Sequence, residues 1–150
     1  MMKLFNKNNL DELQLVKRGN IFKHGLFVMG GLLLLKTLLE NYNIFILNEK
    51  WGNLVIILFT IALCSIEMIC YDIYPLSEKR QKFMIYFVGL FGFVSIVISI
   101  FDMVNENIAF ILEKQLSDSA IGIIFGCIFI SIFIAYIIKT IYNERHEENE

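Results

Sequence analysis

An all-α, polytopic membrane protein with four transmembrane helices is the fold class that this sequence predicts. Three observations carry the prediction. Of 150 residues, 57% are hydrophobic and 19% charged, whereas a soluble domain carries about a quarter charged residues. The apolar residues gather into four runs, each close to the ~20 residues that a membrane-crossing helix requires. The last run, over residues 120–138, has almost no polar side chain at the third or fourth positions where a soluble amphipathic helix would show them. The spans fall at about 21–42, 52–73, 83–102 and 120–142 of a single domain covering 1–150.

Ahead of the first span, residues 9–18 read NLDELQLVKR. Asn9 is placed to cap a helix, with Glu12 three residues on in the manner of a capping box. Leu10, Leu13 and Val16 share a face, so the spacing predicts a short amphipathic helix on the membrane surface; a plain extension of the first span is the alternative. No apolar run or small-residue cleavage site begins the chain, so no cleavable signal peptide is expected. The second span ends near Pro75, where a helix stops without losing an internal bond. Between spans three and four, Ile108, Ile111, Leu112 and Leu116 recur at helical spacing, which predicts a second interfacial helix within 102–119. Ser117 or Ser119 is placed to cap the fourth span.

Basic residues orient the chain. Ten of the thirteen Lys and Arg residues belong to one side: Lys3, Lys7, Lys17, Arg18, Lys23, Lys79, Arg80, Lys82, Lys139 and Arg145. The other side holds Lys36, Lys50 and Lys114. The positive-inside rule then makes both termini cytoplasmic. Trp51 and Tyr42 fit the outer boundary; Tyr71, Tyr74, Tyr86, Tyr136 and Tyr142 fit the inner one, where amphipathic rings settle.

A charge inside an apolar run needs a partner or a wet surface. Glu67 is the hardest to place, about 7–8 Å from the middle of its span if that is centred near Ala62. Its short stem does not reach the interface, so it is neutral, paired or beside water. His24 is the better partner by depth, followed by Lys23; a protonated Glu67 bonded to Ser95 or Ser99 is the alternative. Lys36 and Glu40, four residues apart, share a helix face and form an intrahelical pair near the outer boundary. Asp72 and Asp102 lie at span ends and carry no chemistry. The candidate polar site is therefore Glu67, His24, Lys36 and Glu40.

Small residues mark candidate helix contacts. Gly89, Gly92, Ser95 and Ser99 form one stripe on helix 3, and Gly122 and Gly126 form a GxxxG on helix 4. These serve equally for packing helix 3 on helix 4 or for dimerisation. Cys64, Cys70 and Cys127 lack metal spacing and read as small buried apolar residues.

Several functions lack their signatures. HExxH, GxSxG, Walker A and GxGxxG are missing. His24 and His146 are the only histidines, and His146 lies in the polar tail NERHEENE. No catalytic residue, metal or cofactor is expected, and the chain does not read as an enzyme. A net charge of −2 supplies no field for nucleic acid. Isoleucine at 25 positions against four alanines points to an AT-rich, bacterial coding sequence.

The LDELQLVKRG segment before the first span, the short loops, and the YDIYP ending of the second resemble a family of small bacterial four-helix membrane proteins, classed as a domain of unknown function. The resemblance implies membrane location and topology and transfers no functional residue. Three roles are carried forward. The first is a non-catalytic accessory or regulatory subunit bound to another membrane protein or to itself. The second is a small oligomeric transporter or channel with Glu67 in the path. The third is a membrane immunity or defence protein. The lipid bilayer is a partner in all three.

Overall fold

The computed structural model describes residues 12–42, 49–73, 79–112 and 115–147. Its elements are α1 (Glu12–Asn41), α2 (Glu49–Cys70), α3 (Lys79–Asn105), β1 (Ile111–Leu112), β2 (Gln115–Leu116) and α4 (Asp118–Glu147). All four helices are long and apolar enough to cross a membrane, which makes this a multi-pass membrane protein. At 1.5 Å per residue α1 and α4 run about 45 Å, past a hydrocarbon core of about 30 Å. The helices therefore extend beyond the apolar runs on which the spans were placed.

That length corrects one expectation. Among the described residues no separate surface helix precedes the first span: Glu12 to Asn41 is one uninterrupted helix, as in the alternative of a plain extension. Leu13, Leu15 and Val16 all point outward from it, and nothing over 12–20 stops the backbone, since Gly19 continues the helix. Asn9, the expected cap, lies outside the described residues.

The helix ends follow from local chemistry. At the end of α2, Asp72 adopts a left-handed φ of 55°. Ile73 N–H then donates to Met68 O at 3.0 Å and Asp72 N–H to Ile69 O at 3.3 Å, which is the paired closure of a Schellman motif. Asn107, with φ 50°, does the same for α3, where Ile108 N–H donates to Met103 O at 3.2 Å. Asp and Asn tolerate this conformation better than other non-glycine residues. At the start of α4, Ser117 rather than Ser119 is the cap, its Oγ accepting from Ala120 N–H at 3.2 Å.

The second expected interfacial helix is also corrected. Ile111–Leu112 and Gln115–Leu116 form an antiparallel pair of two-residue strands, with Ile111 opposite Leu116 and Leu112 opposite Gln115. Ser117 N–H continues the ladder to Phe110 O at 3.1 Å. The left-handed Asn107 ends α3, and the Ser117 cap begins α4, so only nine residues lie between them. That is too short for a stable independent helix, whereas the strand pair satisfies backbone groups locally.

The helices pack in the spatial order α1–α2–α4–α3. The broadest interface joins α3 to α4, because two backbones meet there. A Cβ on Gly126 would lie 2.7 Å from Gly92 O, and one on Gly92 would lie 2.9 Å from Gly126 O. Gly89 abuts the Phe133 ring, and Gly122 abuts Ser99 Oγ. Ser95 Oγ donates to Gly122 O at 3.0 Å. The small-residue stripes thus meet within one chain. Beside them Ile69, Ile85 and Tyr136 form a buried cluster, with the Tyr86 ring 6.0 Å from that of Tyr136. Tyr136, placed by the sequence at the inner boundary, is buried in this cluster.

Parallel packing of α2 on α4 is pinned at both ends. Trp51 Nε1 donates to Asp118 Oδ1 at 3.0 Å. At the other end Lys139 Nζ lies 2.8 Å from Asp72 Oδ2 and donates to Cys70 O at 3.3 Å. Asp72 is therefore a structural clamp as well as a helix stop. Two cysteines differ from expectation: Cys70 and Cys127 are exposed at the chain's surface, and only Cys64 is partly buried. On a membrane helix, lipid suits an apolar thiol as well as a protein interior does.

Candidate intramembrane polar site

Antiparallel packing of α1 on α2 builds the site. Gly25 supplies the close approach, its missing Cβ leaving room for Cys64 Sγ and, at 3.5 Å, for Thr60 Cγ2. Cys64 Sγ donates to Ile21 O at 3.8 Å. Thr60 Oγ1 is satisfied on its own helix by Ile56 O at 2.9 Å. With the backbones held this near, the residue before Gly25 faces the next turn of α2.

There His24 Nδ1 lies 2.9 Å from Glu67 Oε1. A proton on Nδ1 makes this a charge-assisted bond to a carboxylate; a proton on Glu67 reverses the donor. The pair is not enclosed: the His24 side chain is 64% exposed and that of Glu67 31%. With α2 spanning Trp51–Cys70, Glu67 lies about 10 Å from the midplane, inside the hydrocarbon on one leaflet. A cleft of about 450 Å³ adjoins the pair, lined by Lys17, Asn20, Ile21, His24, Glu67 and Tyr71. The Lys17 ammonium closes its outer end 5.5 Å over the Tyr71 ring, a cation–π contact.

The remaining candidates fall elsewhere. Ser95 and Ser99 turn to α4 and do not reach Glu67. Lys23, one residue from His24, is rotated 100° off the paired face. Lys36 and Glu40 form the i,i+4 pair, with Nζ to Oε1 at 3.0 Å, near the opposite end of α1. Lys36 also donates to Asn53 Oδ1 at 2.9 Å. Asn53 was missed in the sequence; its amide, the last polar group before the apolar run of α2, was the available signal. Asp118 and Lys139 were missed as well, because residues at span ends read as boundary anchors. Polar bonds thus tie α1 to α2 at two depths, one in each leaflet.

Chemically, His24 and Glu67 can share or exchange one proton beside a polar cleft. Among the described residues no group of three metal-ligating side chains converges. Comparisons of the chain with family models, with curated proteins and with solved structures gave no match.

Proposed function

We infer that the chain is a non-catalytic accessory or regulatory subunit of a membrane assembly. It resides in the bacterial cytoplasmic membrane with both termini cytoplasmic. One observation carries the reading: the His24–Glu67 pair lies inside the span yet is left open on one flank, with the His24 side chain 64% exposed. An ionised side chain at a bilayer centre costs about 2.5–3.5 kcal/mol, so such groups normally face protein or water. A polar segment of a second membrane protein, laid along this flank of α1 and α2, supplies that partner. The clustering of basic residues at the His24 end supports the orientation.

The cleft beside Glu67 favours a second reading, an oligomeric channel in which copies of this chain surround that residue. Purification from native membranes in mild detergent, followed by composition and mass, separates the two. The accessory reading predicts a second protein in fixed ratio, weakened by Glu67→Ala. A closed homo-oligomer with ion flux abolished by Glu67→Gln would replace it with the channel, and a lone monomer would contradict both.

A further inference from the structure

The α1–α2 contact has a second flank, on the other side of Gly25 from the polar pair. There Phe22, Leu26 and Met29 of α1 face Ile61, Ser65 and Met68 of α2 across an apolar groove of about 330 Å³. The space lies beside the close contact of Gly25 with Cys64, where Thr60 and Ser65 of α2 present only small side chains. The two hydroxyls ask nothing of a ligand. Thr60 Oγ1 donates to Ile56 O and Ser65 Oγ to Ile61 O at 2.8 Å, so they turn carbon toward the groove.

Arg18 lies seven residues before Gly25, about 10 Å nearer the start of α1, and its side chain leans further that way. Its guanidinium sits 5.7 Å over the ring of Phe22, which is itself a groove wall. A cation at headgroup depth therefore stands at the mouth of a hydrocarbon slot. A helix with its side chains is about 10–12 Å across, too broad for this space; a single alkyl chain fits it.

We propose that this groove holds one acyl chain of an anionic phospholipid whose phosphate is bound by Arg18. The guanidinium fork matches a phosphate in bidentate fashion, and the apolar walls remove the chain from bulk lipid. The site depends on α1 meeting α2 but not on which leaflet faces the cytoplasm.

The test uses the full chain in nanodiscs of equal phosphatidylglycerol and phosphatidylcholine, released into mild detergent for native mass spectrometry. One retained phospholipid per chain is expected, enriched in phosphatidylglycerol about five-fold over the bulk mixture. Arg18→Gln, at an exposed position, returns the retained lipid to the bulk ratio. Ser65→Phe fills the groove and removes the retained lipid, with helix content by circular dichroism reporting the fold. Absence of a retained lipid, a bulk ratio in the unaltered chain, or an enrichment that survives Arg18→Gln overturns the proposal.

Discussion

Glu67 makes one of the two polar ties that hold α1 to α2. Glu67 accepts from or donates to His24 across the helix pair, while Gly25 and Cys64 set the separation. Interhelical hydrogen bonds in membranes average about 0.6 kcal/mol and reach about 1.7. Glu67→Ala should therefore lower stability by about 0.5–2 kcal/mol in a reversible detergent unfolding titration, and Glu67→Gln, which keeps one hydrogen bond, by less. An effect of the same size for both would mean that burial rather than the bond matters at this position. This pair was legible in the sequence because a glutamate inside an apolar run demands a partner, and depth ranks His24 ahead of Lys23. A bond to Ser95 or Ser99 was the open alternative, and the structure turns both toward α4. Asn53 was not legible, because one amide near a span end makes no such demand.

At the scale of elements, glycine acts where backbones touch. Gly92 and Gly126 each leave no room for a side chain against the facing carbonyl. Gly126→Leu should force α3 from α4 and cost about 1–3 kcal/mol or more. Gly30→Ala and Gly31→Ala, with open space around them, should change stability by no more than about 0.5 kcal/mol. Thermal unfolding in detergent compares them; equal losses at Gly126 and Gly30 would remove the close α3–α4 contact from the account. The stripe Gly89, Gly92, Ser95, Ser99 was readable from spacing, as was the pair Gly122 and Gly126. That they meet each other needed the structure, since the same stripes serve dimers. The segment between α3 and α4 was misread for a physical reason: helical spacing of Ile108, Ile111, Leu112 and Leu116 is a weak signal over nine residues. The left-handed stop at Asn107 and the cap at Ser117 leave no room for a helix to form.

The whole molecule is a row of helices in which α1 packs chiefly along α2. Four spans were legible because hydropathy and length alone specify them. The order of neighbours was not, because lipid-facing and protein-facing side chains in a membrane are chemically alike. Two polar clamps, Trp51 to Asp118 and Lys139 to Asp72, hold α2 parallel to α4; of these four residues Trp51 and Asp72 read in the sequence as boundary residues and Lys139 only as a cytoplasmic cation. Lys139→Met removes a cation that ties the α2 terminus to α4. It should cost about 1 kcal/mol in the same unfolding titration, and an unchanged midpoint would mean the clamp contributes nothing. With α2 fixed this way, the outward flank of α1 that carries His24 becomes the surface on which the functional account stands.

The most direct test places a photo-crosslinking amino acid in that flank, at Asn20 or Phe27, and at Leu90 on the outward face of α3, in native membranes. The account predicts one defined protein adduct from the α1 positions, lost on Glu67→Ala, and none from Leu90. Lipid adducts alone at all three positions would contradict it.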